Sequence, residues 1–263
     1  MVKFSHMSTN FFICIMLWAF MIGQDDGYFG GWPINKDKDK IKDPGFELDC
    51  NDSDFLKKIG CACSNNEDCY SGRCFNSPRI GGYCLQNEGT VFPRYKLMDQ
   101  YGETVDLYDF ADQGKLIVIE FSTAWCQPCR DFAAWLSFDE LSLTTHKAWK
   151  EEYAIIKKLI KQEKIYFMNI QIQSKSREPS SLESVDEWAY DYPDELIPIF
   201  SDPDYDVRDW MRVTAYPTMI ILNDKMEIIK FSVRGWHDAL GFLSDIKWDF
   251  KDSNKINKEG NAQ

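Results

Sequence analysis

Cys126 and Cys129 stand two residues apart in the stretch 120–132, which reads EFSTAWCQPCRDF. Thiols at that spacing fall within one helical turn, close enough to form a small-ring disulfide and for one to resolve a mixed disulfide made by the other. The apolar run LIVIEF (116 to 121) comes before them, and CQPCRDFAAWL reads as the start of a helix. At a helix N-terminus, free backbone N–H groups and the positive end of the dipole favour a thiolate over a thiol. Arg130 adds positive charge, and Pro128 suits a first helical turn, where no backbone N–H partner is lost. Cys126 is therefore the candidate nucleophile, Cys129 its partner, and thiol–disulfide exchange the chemistry. A structural staple would more naturally join distant segments, since short loops gain least from closure.

Two residues elsewhere belong to the same chemistry. Glu120 lies within an apolar strand, where a carboxylate is costly without a partner or a task. It alternates with Ile119 and Phe121, so its side chain is expected beneath the helix start, towards the cysteines, where burial would raise its pKa and let it relay the proton of Cys129. A Glu paired with a buried Lys or exposed at the strand end is the plainer alternative. In AYPTMIIL, Pro217 opens an aliphatic strand, a place where proline is tolerated and can be cis.

The elements that must hold these residues follow from periodicity. Apolar runs LIVIEF, IYFMNIQIQ (165 to 173), IPIF (197 to 200), TMIILND (218 to 224) and EIIKFSVRG (227 to 235) read as strands. Amphipathic stretches from Cys126 to about Leu136, about Thr145 to Gln162, Leu182 to Tyr190 and Trp236 to about Ile246 read as helices, with Ser180 and Glu183 expected as a capping box. Alternation of the two predicts an α/β fold: a central mixed β-sheet with a parallel portion, flanked by helices, and an antiparallel hairpin joined at NDKM. The gap of 36 positions from Cys129 to Ile165 exceeds one typical helix and predicts a bend or second helix.

The rest of the chain reads as attachments. Residues 11–23 form an apolar run too short to span a bilayer, where about 20 residues are wanted, but of signal-peptide size. Residues 1–23 are read as an export signal, with an uncleaved membrane anchor as the alternative, and Cys14 falls inside it. Residues 24–49, rich in Gly, Pro and alternating charge, have the composition of a solvated linker. Cys50, Cys61, Cys63, Cys69, Cys74 and Cys84 crowd into residues 50–84 with few aliphatics, as in a small module held by disulfides because it has almost no core. Their pairing is not readable, and their spacing with no nearby histidine argues against zinc. The main domain is expected over 90–248 and a disordered tail over 249–263. With 263 residues, a net charge of −12 and a pI near 4.8, the chain is unsuited to nucleic acid or anionic lipid surfaces.

The set WCQPC, a Glu six residues before the first Cys and YPT some 90 residues later resembles the thioredoxin fold. The approach VFPRYKLMDQYGETVDLYDFADQGKLIVIEFSTAWCQPCR resembles the AhpC/TSA-type redoxins, in particular the exported TlpA/ResA-like thiol–disulfide oxidoreductases. The resemblance covers about 90 to 248. It implies Cys126 as the attacking and Cys129 as the resolving cysteine of a redox-active disulfide, Pro217 as a cis-proline facing them and Glu120 as the buried acid. It places Trp125 at the surface of the site, with Tyr216 and Arg130 as further binding residues. It implies no cofactor or metal, and as partners protein thiols or disulfides and an upstream redox protein in the periplasm or outside the cell. Contact with a membrane is expected only through an uncleaved leader. Two alternatives stand beside it: a secreted, non-catalytic binding or assembly protein, and a peroxiredoxin-like peroxidase. The latter needs a proline where Ile119 stands. Asp202, Asp204 and Asp206 mimic the start of a calcium loop, but Val207 and Val213 occupy the required Gly and Glu positions, so these acids are expected to cap a short helix from Val207 to Met211. His6, His146 and His237 are scattered and none pairs with a cysteine in sequence.

Overall fold

The computed structural model describes residues 27–45, 50, 60–77, 81–232 and 234–250. The leader expected over 1–23, with Cys14 and His6, and nearly all of the expected tail lie outside these residues.

The cysteine-rich segment forms a two-stranded hairpin, β1 (Cys74–Ser77) and β2 (Gly81–Cys84). Its six cysteines pair as Cys50–Cys61, Cys63–Cys74 and Cys69–Cys84, with Cα separations of 5.3, 6.0 and 5.4 Å. The sulfurs of Cys63, Cys69 and Cys74 lie within 4.8 Å of one another because two disulfides pass side by side. A sulfur held in a disulfide is not the thiolate that a metal needs. The hairpin is not independent of the rest: Tyr83 and Leu85 enter the main core, and Arg212 donates to the carbonyl of Gly60 at 3.1 Å.

Beyond it come β3 (Lys96–Asp99), β4 (Thr104–Asp106), β5 (Leu116–Thr123), α1 (Gln127–Phe138), α2 (Ile155–Lys161), β6 (Ile165–Gln173), α3 (Leu182–Asp191), β7 (Ile199–Ser201), α4 (Asp206–Met211), β8 (Thr218–Leu222), β9 (Ile228–Phe231) and α5 (His237–Asp245). Seven strands make one sheet in the order β4-β3-β7-β6-β5-β8-β9. Strands β5, β6 and β7 run parallel, and the pairs on either side are antiparallel. This is the expected α/β architecture with the disulfide-rich module before it.

Strand alternation splits the core in two. Ile117, Ile119 and Phe121 of β5 face one side, against Phe92, Phe110 and the α4 residue Trp210. Val118 faces the other, with Phe132 of α1, Ile156 of α2, Val185 of α3 and Leu240 of α5. A sheet covered on both faces explains why its central strands read as continuous apolar runs.

Three local expectations are corrected. Residues 27–41 are not a solvated linker: Trp32 is buried, its indole Nε1 donates to Asp99 Oδ2 at 2.8 Å, and Tyr28 donates to Asp109 Oδ2 at 2.7 Å. Lys38 pairs with Asp109 at 2.6 Å, and Arg94 bridges Asp106 and Asp39. Composition suggested a free segment because its apolar residues are few, but buried carboxylates of the main domain need donors, and this segment supplies them. The capping box is formed one residue later than expected, by Ser181 and Ser184. Ser180 instead meets Ser201 across the sheet and accepts from the backbone of Asp202. The helix expected from about Thr145 is 3-10 turns at Leu143–Thr145 and Glu151–Ala154 before α2, with Trp149 packed edge-on against Trp135.

Candidate redox-active site

Strand β5 ends at the surface of the sheet and turns through Ala124 and Trp125 into α1. The turn is tied at both ends: Ala124 N–H donates to the carbonyl of Gln173 at 2.9 Å, and Cys126 N–H to that of Thr123 at 3.1 Å. Cys126 is the N-cap residue of α1, with extended backbone angles, and its Sγ accepts from the N–H of Cys129 at 3.4 Å. A sulfur thus takes the place that a serine or aspartate oxygen fills in an ordinary cap. Pro128 lies in the first turn, as expected.

Cys126 and Cys129 are joined as a disulfide, with Cα atoms 5.3 Å apart. Cys126 is 4 % exposed and Cys129 0 %. The little exposure the pair has belongs to Cys126, and Cys129 is fully enclosed.

Trp125 is held from three sides. Its Nε1 donates to Gln173 Oε1 at 3.0 Å, the Arg177 guanidinium lies over its ring at 4.5 Å, and the Tyr216 ring meets it edge-on at 6.0 Å. Gln173 continues the contact by donating to the hydroxyl of Tyr205 at 3.4 Å. Burial pushes the Tyr216 phenol up to about 12. The Tyr216–Pro217 bond is cis. Because Phe121 pairs with Thr218 in the antiparallel β5–β8 ladder, Tyr216 and Pro217 are level with Thr123 and Ser122, where the cysteine turn leaves the sheet. Arg130 donates to Gln127 Oε1, and Gln127 in turn to Asp131 at 2.7 Å. The guanidinium expected beside the sulfurs is engaged with the residue between them.

Glu120 is buried on the α1 side of the sheet, in step with Val118. Its Oε2 accepts from Asn169 Nδ2 at 2.8 Å, and Asn169 Oδ1 accepts from the Ser122 hydroxyl at 2.8 Å. Burial lifts its pKa to about 8, against the pull of the Asn169 hydrogen bond. Beside it is a cavity of about 20 Å³, room for one water molecule, lined by Ala133, Leu136 and Ser137 of α1 together with Asn169, Trp188 and Tyr192. Neither cysteine lines it. The acid sits beneath the middle of α1 rather than its start, and geometry explains why. Three residues of β5, from Thr123 back to Glu120, cover about 10 Å. A helix running back over the strand needs about seven residues for that distance, which leads from Cys126 to Ala133.

Between the two levels runs a band of polar side chains. Ser122 on β5 and Asn169, Gln171 and Gln173 on β6 share the face of Glu120, and Gln171 is buried with neither side-chain atom paired. Asn169 and Gln173 were not singled out from sequence, although a signal exists: in IYFMNIQIQ, polar residues alternate with Met168, Ile170 and Ile172 in a strand that is otherwise apolar. Arg177 comes from the β6–α3 loop, and no periodicity points to it.

The calcium-like acids divide as their burial dictates. Asp202 is buried and accepts from the N–H groups of Val207 and Arg208 at the start of α4, at 3.4 and 2.9 Å, while Asp204 and Asp206 are exposed. Burial raises Asp202 to about 6. His146 and His237 pack against the ring of Trp236.

No protein-family model and no curated protein sequence matches the chain. Solved structures resemble it in fold. A thiol:disulfide interchange protein from Bacteroides sp. is 19 % identical, with a TM-score of 0.41 over 60 % of this chain and 88 % of that one. The exposed lipoprotein thioredoxin of Streptococcus pneumoniae strain TIGR4 is 19 % identical, with a TM-score of 0.41 over 58 % and 99 %. The thioredoxin domain of a thiol–disulfide oxidoreductase from Bacteroides vulgatus is 19 % identical, with a TM-score of 0.41 over 60 % and 96 %. In this chain Cys126 of the disulfide-bonded pair caps the helix that leaves the central strand, and the neighbouring antiparallel strand brings a cis-proline level with it; on a mixed sheet of this order, that is the thioredoxin fold.

Proposed function

We propose that the chain is an exported thiol–disulfide oxidoreductase that exchanges disulfides with protein substrates through Cys126 and Cys129. The observation that carries this reading is the unequal placement of the pair: Cys126 caps α1 at the rim of the site, while Cys129 is fully enclosed behind it.

In the reducing direction the Cys126 thiolate attacks one sulfur of a substrate disulfide. A mixed disulfide forms, and the other substrate sulfur leaves as a thiolate. Cys129, as a thiolate, then attacks the Cys126 sulfur and displaces the second substrate thiolate. The substrate gains two electrons, the protein loses two, and the Cys126–Cys129 disulfide remains. The helix N-terminus stabilises the Cys126 thiolate, both as attacking group and as leaving group. Glu120, held protonated near neutral pH by burial, is the group suited to exchange a proton with Cys129 through the polar band of Ser122, Asn169 and Gln171. Trp125, Tyr216 and Pro217 form the surface on which the substrate chain rests. A redox protein upstream restores the dithiol. Three disulfides in the preceding module fit an oxidising compartment, in agreement with a leader.

Insulin reduction in the presence of dithiothreitol tests this reading, comparing the protein with its Cys126→Ser variant. Turnover in the former and none in the latter is expected. Equal, negligible turnover in both would leave a non-catalytic binding protein as the reading. A titration of the pair against glutathione gives the potential, and hence whether the protein works as reductant or oxidant.

A further inference from the structure

The rim around Cys126 carries two guanidinium groups that no carboxylate neutralises, in a protein whose net charge is −12. Arg177 is exposed, and its guanidinium carbon lies over the indole of Trp125, 4.5 Å from the ring centre; Trp125 is the residue before the nucleophile. Arg130 is half-buried one turn into α1 and donates only to the Gln127 amide. Among the described residues, neither has an acidic side chain within ion-pair distance. The nearby acids are engaged elsewhere or stand apart: Asp131 accepts from Gln127, Asp209 pairs with Arg208, and Glu187 and Asp191 share Lys175. Glu178, next in sequence to Arg177, is exposed and makes no pair with it.

Arg177 is placed rather than trailing. The β6–α3 loop closes on itself through Ser174 N–H to Glu178 carbonyl at 2.9 Å and Arg177 N–H to Ser174 carbonyl at 3.0 Å. The Trp125 ring beneath it is fixed by Gln173 and Tyr216. A guanidinium held over an aromatic face by cation–π attraction keeps N–H donors free for a carboxylate, and that contact reduces the freedom lost when it binds one.

We propose that this rim selects substrates whose reactive cysteines are flanked by carboxylates, so that the partner is an acidic segment of a protein that carries a disulfide or dithiol. The inference rests on the oxidoreductase reading above and adds to it the chemistry that chooses the substrate. Arg177 and Arg130 bind the flanking Asp or Glu while Cys126 exchanges with the neighbouring sulfur.

The test uses two synthetic peptides, each with one intramolecular disulfide, identical except that Glu flanks the cysteines in one and Gln in the other. Full-length protein is reduced with dithiothreitol, desalted and mixed with each peptide, and the second-order rate of peptide reduction is followed. The Glu peptide is expected to react faster by about threefold to fivefold at low salt, the size of an exposed ion pair. That preference should shrink towards unity in 0.5 M NaCl, where screening removes it. In Arg177→Gln the ratio of the Glu-peptide rate to the Gln-peptide rate should fall, and in the double variant Arg177→Gln/Arg130→Gln it should reach unity. The ratio is the readout, so a general change in rate that affects both peptides equally does not count. Arg177→Lys, which keeps charge but loses the flat fork, should restore only part of the preference. Equal rates for both peptides with the unmodified protein would overturn the inference and leave the oxidoreductase reading intact. No reduction of either peptide or of 2-hydroxyethyl disulfide, the disulfide of 2-mercaptoethanol, by the reduced protein, together with no oxidation of the reduced peptides by the Cys126–Cys129 disulfide form, would overturn both.

Discussion

Asn169 holds Glu120 and is itself held by Ser122. Its Nδ2 donates to Glu120 Oε2 at 2.8 Å, and its Oδ1 accepts from the Ser122 hydroxyl at the same distance. The serine fixes which end of the amide faces the acid, so the carboxyl meets a donor. Asn169 is thus a positioning residue for Glu120. Because the bond favours the ionised acid, Asn169→Leu should raise the Glu120 pKa above about 8. The expected readout is an upward shift of the corresponding limb in the pH profile of disulfide exchange. In a Glu120→Gln background the same substitution should leave the profile unmoved; a shift there would mean that Asn169 acts by another route.

Glu120 also ties stability to pH. Its folded pKa is about 8 and its ordinary value 4.5. Below about 4.5 the carboxyl is protonated in both states and costs nothing further. As pH rises from there to about 8, the unfolded chain releases the proton while the folded protein keeps it, so stability falls across that window and levels off above it. Glu120→Gln should therefore be more stable than the parent at pH 8, by roughly 3–5 kcal/mol, and close to it at pH 4. Urea unfolding at the two pH values measures the difference; an equal offset at both would remove the assigned titration.

Residues 27–41 should behave as part of the domain. Trp32→Ala removes a buried ring and the donor to Asp99 Oδ2, and is expected to cost about 3–5 kcal/mol. Chemical denaturation of this variant checks it. A loss under about 1 kcal/mol would return the segment to the status of a linker.

The disulfide module should contribute to stability without taking part in exchange. Replacing Cys69 and Cys84 together by serine opens a bridge between residues 15 apart and is expected to lower stability by about 2–4 kcal/mol. The rate at which the reduced protein acts on 2-hydroxyethyl disulfide should stay within about twofold, since the three bridges lie outside the Cys126 site. Thermal melting and that rate, measured on one preparation, separate the two effects.

Much of this was legible in short stretches of sequence, because the forces involved act over a few residues. A buried strand ending in C-x-x-C and a helix pattern places Cys126 at a helix cap whatever surrounds it, and a proline before an aliphatic run marks where a strand can begin. The period-two and helical patterns were enough for the strands and most helices. Where tertiary contacts compete with local preference, the reading slipped: Trp149 packs on Trp135 and the chain there bends into 3-10 turns instead of a longer helix.

What only the tertiary structure decided are relationships between distant residues that no local pattern encodes. The β5–β6 register brings Asn169 to Glu120, 49 residues away, and the difference in rise between strand and helix puts that acid under Ala133 rather than under Cys129. The pairing of six cysteines depends on how the hairpin folds back, which spacing does not constrain. Arg177 reaches Trp125 because the β6–α3 loop ends beside the cysteine turn, and residues 27–41 are ordered by carboxylates that lie some 70 positions later. In each case sequence supplied a residue able to make the interaction, and the sheet decided which partner it met.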